Sequence, residues 1–417
     1  MKVLLVNDGG RGGAIVAMTR LHSGLKKSGV DSKILNRFNR TGSSDVVSVP
    51  HSRTIARAER ELSRVTSRLG LNDIHCLNTF LIKRLPAYLD ADIVDFHTIH
   101  GGFFNYLALP SLTREKPGVF TLHDMWFFTG HCSYGYDCDR WKTGCGECPH
   151  LDAYPPVRRD STRLEWKLKN WVYSKSNVAV VSPGKWLTEQ AQQSMLNRLP
   201  IHHIPHGIDA EVYRPLDRER CRSVLGIPAG KRVLMFMAMT MDRSDAHYFR
   251  KGCDLLVGAL EGLPDSLKPE VTLLLVGEGG EGLAEAVGIE AISLDYVSSD
   301  RLKAVAYSAS DLFIFPTRAD IFGLVLLESM ACGTPIVSFD VGGVSELVRM
   351  NTTGYLAEPG NVEDFRDGIL KLLEDDALRD HMRDRCRAIA VQEYPLELQV
   401  ERYIKLYSEL LQRPNPD

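Results

Sequence analysis

The sequence predicts an α/β protein made of two doubly wound parallel-sheet domains. Short apolar runs of about four to seven residues alternate with helix-length stretches along the whole chain, the pattern of buried parallel strands with crossover helices. The register restarts in a turn-rich segment, PHGIDAEVYRP, between Pro205 and Pro215, which suits a linker. A length of 417 residues lets each of two domains bury its own core.

In the first half, strands are expected at KVLLVN, SKILN, DIVDFHT, GVFTLHD and NVAVVSP. In the second half they are expected at RVLMFMAMT, VTLLLVG, DLFIFPT and PIVSFD. These runs are mostly apolar on both faces, so both faces of each strand must be covered. After Pro395, LELQVERYIKLYSELL sets Leu398, Val400, Tyr403, Ile404, Leu406, Tyr407, Leu410 and Leu411 on one face of a closing amphipathic helix. The expected division is 1–205, 206–393 and a final helical segment 394–417.

Composition narrows the class. Hydrophobic residues make up 44 % and charged residues 25 %, with a formal net charge of −3, so nothing pulls the whole molecule toward nucleic acid. No stretch approaches the roughly 20 apolar residues that span a bilayer. The start, MKVLLVND, reads as a first buried strand rather than a signal segment. The expectation is a cytoplasmic protein with reduced cysteines.

Chemistry enters at the strand ends. The first strand runs into NDGGRGGA, residues 7–14, and then a helix with Ile15, Met18, Leu21 and Leu25 inward. Such a turn either brings backbone N–H groups to an anion or is a tight turn without a ligand. A nicotinamide dinucleotide fits poorly. Ile15 stands at the third glycine position, and SKILN ends at Asn36 and Arg37 without an acid for the ribose.

The densest stretch is PTRADIFGLVLLESMACGTPIVSFDVGGVSELV, residues 316–348. A strand ends at Pro316, Asp320 sits in the loop, and a helix starting near Phe322–Gly323 carries Glu328. The helix N-terminus offers free N–H donors to a phosphate, while two acids beside it suit sugar hydroxyls. A cation must offset a diphosphate, and Lys251 in RKGCDLL is placed to do so.

Asp320 and Glu328, with seven residues between them, are followed by SMACGTPIV and accompanied by RKG, PHGID, LLLVGEG, GGVSELV and TGYLAEPGN. Together these motifs resemble the retaining glycosyltransferases of family 4, which have the GT-B fold. The resemblance implies two Rossmann-like domains facing a cleft. A nucleotide-diphosphate sugar would be held mainly by the second domain and an acceptor by the first.

Carried over by position, the resemblance makes Glu328 the ribose ligand and places Asp320 against the transferred sugar. Phe322, Gly323 and Leu324 supply backbone near the diphosphate, Lys251 clamps it, and Gly12–Gly13 form the N-terminal glycine loop. Val297 contacts the base, and His123 lies beside the donor sugar. Two departures stand out. Asp320 is one methylene shorter than the usual glutamate, and the usual arginine before the lysine is replaced by Arg243, with Arg250 as second choice. The family chemistry implies retention by front-side attack, no metal at the phosphates, and a stabilizing rather than basic role for His123. Without the resemblance His123 would be an ordinary strand-end histidine.

The run HDMWFFTGHCSYGYDCDRWKTGCGECP, residues 123–149, holds Cys132, Cys138, Cys145 and Cys148. A structural zinc bound by all four is one reading, with His131 as a spare ligand; disulfides or free thiols are the others. A similar run occurs in family 4 enzymes of bacterial exopolysaccharide assembly. In that reading the loop 124–150 lines the acceptor pocket through Trp126, Phe127, Phe128, Tyr134, Tyr136 and Trp141.

Residues 51–69 place Arg53, Arg57, Arg60, Arg64 and Arg68 apart from a stripe of Ile55, Ala58, Leu62, Val65 and Leu69. This is either a solvated helix with its stripe in the core or a surface for anionic lipid at the inner face of the plasma membrane. The function expected overall is transfer of a hexose-type sugar to a saccharide or lipid-linked saccharide in cell-surface polysaccharide assembly. The alternatives are a GT-B epimerase or phosphorylase and a noncatalytic zinc-bearing interaction protein.

Overall fold

The computed structural model describes residues 1–39, 42–49 and 52–413. His51 of the basic segment and residues 414–417 of the expected closing segment lie outside the described residues. The chain forms two compact units, Met1–Pro205 with Glu397–Asp417, and His206–Leu396.

The first unit is a parallel sheet of β1 (Lys2–Val6), β2 (Asp31–Asn36), β3 (Val46–Ser48), β4 (Ile93–Phe96), β5 (Gly118–Thr121), β6 (Val178–Ser182) and β7 (Ile201–His203). Their order is β3-β2-β1-β4-β5-β6-β7. The second unit is a parallel sheet of β8 (Arg232–Thr240), β9 (Val271–Glu278), β10 (Glu290–Leu294), β11 (Leu312–Phe315), β12 (Ile336–Phe339) and β13 (Gly354–Ala357). Their order is β10-β9-β8-β11-β12-β13. Both sheets grow outward in two directions from a central pair, β1/β4 and β8/β11, as doubly wound folds do.

All the expected strands form, because each is a largely apolar run with neighbors on both sides. Leu4, Leu5, Val6, Leu312, Phe313, Ile314 and Phe315 are fully buried. The strands that the apolar runs did not announce are β3, β7, β10 and β13. These are the outermost strands of their sheets. An edge strand is covered on fewer sides and keeps half-exposed positions, so it shows no unbroken apolar run.

The two passages of chain at the boundary of the second unit lie side by side. Ile208 N–H donates to the Tyr394 carbonyl at 2.9 Å, and Leu396 N–H donates to the Ile208 carbonyl at 3.1 Å. Gly207 is required there, since a Cβ would fall 2.6 Å from the Leu396 Cα. The closing helix, Leu396–Gln412, is tied into the first unit: Tyr407 donates to Asp95 Oδ2 at 2.6 Å, and the Tyr403 and Thr121 hydroxyls are 3.2 Å apart.

The basic helix spans Arg53–Arg68, and its apolar stripe is not core. Val65 is 52 % exposed, Leu69 is exposed too, and Thr66 is the one buried residue of the helix. The helix is fastened on its other side, where Glu59 accepts from the backbone N–H and side-chain amide of Asn78 at 2.9 and 3.1 Å. Among the described residues, no helix is long and apolar enough to cross a membrane.

Candidate active site

The second unit gathers the residues expected to hold a donor. β11 ends at Phe315, and the loop beyond it leads through Asp320 to the helix Leu324–Ala331. Gly323 caps that helix with φ 80°, a left-handed conformation that costs glycine little. Asp320 Oδ1 accepts the Phe322 N–H at 3.3 Å, which turns the chain into the helix. The GGV turn braces the loop from behind, with Gly343 N–H donating to the Asp320 carbonyl at 3.0 Å.

Lys251 reaches this loop from across the sheet. Gly252, at φ 71°, packs so tightly on the end of β11 that a Cβ would meet the Pro316 carbonyl oxygen at 1.8 Å. Close approach of the two segments sets Lys251 Nζ 2.8 Å from Asp320 Oδ2 and 4.6 Å from the center of the Phe315 ring. Arg250 Nη1 lies 4.0 Å from the same carboxylate oxygen and donates to the Ala319 carbonyl at 3.3 Å. Burial works to raise the Asp320 carboxyl, but the charges of Lys251 and Arg250 outweigh it and hold it below the usual range. Burial pushes the Lys251 ammonium down, with Asp320 opposing.

Glu328 rides on the same helix, is buried, and accepts a hydrogen bond from the Tyr307 hydroxyl at 3.2 Å. Val297 lies in the loop after β10, just before Ser299 caps the helix Asp300–Ala309. Of the two candidate arginines, Arg250 stands in the Lys251–Asp320 group, whereas Arg243 is exposed in the loop after β8.

In the first unit, Gly12 caps the helix Gly13–Lys27 and offers no side-chain cap. His123 leaves the end of β5 and is tied to the strand beside it: His97 Nδ1 and His123 Nε2 share a hydrogen bond of 2.9 Å. His97 Nε2 in turn lies 3.6 Å from Asp95 Oδ1. Burial pushes the His123 ring down to about 4, so it is neutral near neutral pH. No sequence signal marked Asp95 or His97, because pairing across β4 and β5 is a tertiary fact.

The family model described as "Glycosyltransferase Family 4" matches residues 11–212, and that described as "Glycosyl transferases group 1" matches residues 219–388. The two models between them take in both units of the chain, each of which is similar to a glycosyltransferase domain. Among curated relatives, the chain is 33 % identical over 178 residues to a D-inositol 3-phosphate glycosyltransferase of Mycobacteroides abscessus, covering 40 % of this chain and 38 % of that protein. It is 30 % identical over 221 residues to an N-acetyl-alpha-D-glucosaminyl L-malate synthase of Bacillus anthracis, covering 51 % and 54 %. The chain thus spans about 38 to 54 % of the length of these relatives. The Anabaena Alr3699/HepE structure in complex with UDP superposes with a TM-score of 0.67 at 17 % identity, over 98 % of this chain and 100 % of that one. The likeness identifies the fold as GT-B.

Of the readings left open for the cysteine-rich loop, free thiols agree with the structure. Cys132, Cys138, Cys145 and Cys148 are free thiols. Among the described residues, no three His, Cys, Asp or Glu side chains are placed to hold a metal ion, so the expected zinc site finds no support. The sulfurs are engaged separately: Cys145 Sγ accepts the Gly130 N–H at 3.2 Å, and Cys148 Sγ faces His131 Nε2 at 3.4 Å. The loop is fastened instead by Lys169, a buried ammonium that donates to the Trp126 and Thr129 carbonyls at 2.8 and 3.2 Å and sits 3.5 Å over the Trp126 ring.

The same packing corrects the expected acceptor wall. Trp126, Phe127, Phe128 and Trp141 are buried in the core of the first unit and present no face for a sugar to stack on. Tyr134 is half-buried, and Tyr136 is the one of the set that is exposed. Their aromatic density reflects a core that continues beneath the loop.

Proposed function

We propose that this protein transfers a hexose-type sugar, with retention of configuration, from a nucleotide-diphosphate sugar to a saccharide or lipid-linked saccharide in cell-surface polysaccharide assembly. The observation that carries the reading is the Lys251–Asp320–Arg250 group beside the N-terminus of the helix bearing Glu328. A diphosphate brings charge that competes with Asp320 for Lys251. As Lys251 and Arg250 turn to the phosphates, Asp320 is released to accept hydroxyls of the transferred sugar. Backbone N–H groups of Phe322, Gly323 and Leu324 add hydrogen bonds to phosphate oxygens. Glu328 accepts from the two ribose hydroxyls, and the loop at Val297 meets the base.

The charge developing on the departing diphosphate is met by fixed cations and helix N–H groups, so no bound metal is needed for that step. The acceptor hydroxyl attacks from the face the diphosphate leaves, and its proton passes to a phosphate oxygen. His123, neutral and held by His97, hydrogen-bonds the sugar without titrating. The exposed arginines and the partly bare apolar stripe of helix Arg53–Arg68 support peripheral contact with anionic lipid.

A panel of UDP-, GDP-, ADP- and dTDP-sugars in a thermal-shift assay tests the reading, followed by product anomer analysis by NMR. Stabilization by one nucleotide sugar, lost in Lys251→Ala, is expected. If none stabilizes the protein, the proposal fails.

A further inference from the structure

The first sheet changes its direction of growth between β1 and β4, and the loops leaving those strands part there. Open α/β sheets take ligands in such crevices. Asp8 comes from the loop after β1, His97 to Gly102 follow β4, and Asp124 follows β5. Asp73 is brought in from the segment after the basic helix, where its Oδ1 accepts the Gly102 N–H at 2.6 Å.

The center of this crevice has unfinished hydrogen bonding. His100 Nε2 pairs with Asp124 Oδ2 at 2.9 Å, while His100 Nδ1 has no partner, although the residue is only 4 % exposed. Asp73 is 2 % exposed, yet its Oδ2 also has no partner. Leaving such groups unpaired costs about 1–3 kcal/mol each, so an arrangement that keeps two of them together points to a ligand that completes them. Space lies beside them, because a Cβ on Gly102 would meet nothing within 4 Å. Tyr154 forms a rim, 5.8 Å from the His100 ring and 47 % exposed.

Charge decides what fits. Asp8, Asp73 and Asp124 surround one imidazole. Burial alone would lower His100, but Asp124, Asp73 and Asp8 together raise it and favor its cationic form. The other basic groups that act on these acids are His75, a ring that burial pushes toward its neutral form, Lys169, already committed to loop carbonyls, and Arg37, an exposed side chain that acts on Asp8. A phosphate entering here would meet more carboxylates than cations.

We infer that this crevice is an acceptor subsite for an uncharged sugar residue, one hydroxyl donating to Asp73 Oδ2 and one oxygen accepting from His100 Nδ1–H, and that it excludes phosphorylated sugars. Naming it an acceptor subsite rests on the transferase reading; the sugar pocket itself does not. Asp8 accepts a second hydroxyl near the mouth, and the Tyr154 ring covers an apolar sugar face.

Equilibrium binding tests this on the full chain. Methyl α-glycosides of glucose, galactose, mannose and fucose, and the 6-phosphates of the three hexoses, are titrated by saturation-transfer NMR with and without nucleotide. At least one neutral glycoside is expected to bind tenfold or more tightly than its 6-phosphate counterpart. Asp73→Asn is expected to weaken it about tenfold while leaving nucleotide affinity unchanged. Asp8→Asn, at a partly exposed position that tolerates the change, gives a smaller loss and serves if Asp73→Asn does not fold. Equal or tighter binding of the phosphates, absence of any neutral glycoside binding, or wild-type binding in the variants overturns the inference. If neutral glycosides bind through Asp73 but no nucleotide sugar binds, the transferase reading falls and the sugar pocket stands.

Discussion

His97 Nδ1 lies 2.9 Å from His123 Nε2, with the two rings stacked at 5.1 Å between centers. The contact continues inward to Asp95, which accepts hydrogen bonds from Thr121 and Tyr407 at 2.8 and 2.6 Å. His123 is therefore held from the side facing the sheet, and the closing helix takes part through Tyr407. Its orientation is set by residues of strands β4 and β5 and of a helix far away in sequence.

A positioning role for His97 separates two kinetic effects. His123→Ala is expected to lower kcat about 100-fold, the order seen when one preorganized donor or acceptor is removed at a transition state. His97→Ala should lower kcat about tenfold with donor KM nearly unchanged, and His97→Gln should recover part of the loss. Steady-state kinetics on the stabilizing nucleotide sugar reads this split, and an equal rise in KM for both would contradict it.

The Lys251–Asp320 pair makes a prediction about stability. Removing the ammonium alone leaves a buried carboxylate with only Arg250 nearby, so Lys251→Met should destabilize the protein by about 3 kcal/mol. The double variant Lys251→Met/Asp320→Leu should regain much of that, although neither binds donor. Urea midpoints decide it. A double variant less stable than the single one would show that the pair is not the issue.

Acid stability should expose Asp95. Burial raises its carboxyl to about 7 against the hydrogen bonds from Tyr407 and Thr121, while burial lowers His123 to about 4. Between these values and the unfolded ones, roughly 3.9 and 6.5, the groups act oppositely. Native Asp95 holds a proton that the unfolded chain has released, so its contribution falls as pH rises. Native His123 lacks a proton that the unfolded chain holds, so its contribution grows as pH rises. Asp95→Asn removes only the first, and should lose about 2 kcal/mol more than the wild type between pH 6.5 and 4.5. Parallel denaturation curves across that window would rule this out.

The cysteine-rich loop should respond to Lys169 rather than to metal. Dialysis against a chelator is expected to leave the melting temperature unchanged, with zinc well below one per chain. Lys169→Met removes two buried hydrogen bonds to loop carbonyls and should cost about 2–3 kcal/mol. A drop on chelation would restore the zinc reading.

The amino-acid order alone determined the two-sheet α/β architecture, because interior parallel strands are buried on both faces and must be written as unbroken apolar runs. It also marked Asp320, Glu328, Lys251 and the glycine turns, since strand ends and helix starts demand local residue types. Edge strands escaped it for lack of such runs. Only the folded chain decided that Lys251 meets Asp320 across 69 residues, that Arg250 and not Arg243 joins them, and that His123 leans on His97. It also placed a buried lysine, Lys169, between the carbonyls of the cysteine-rich loop and the Trp126 ring. Proximity between distant side chains comes from strand order and packing, and no spacing along the chain encodes it.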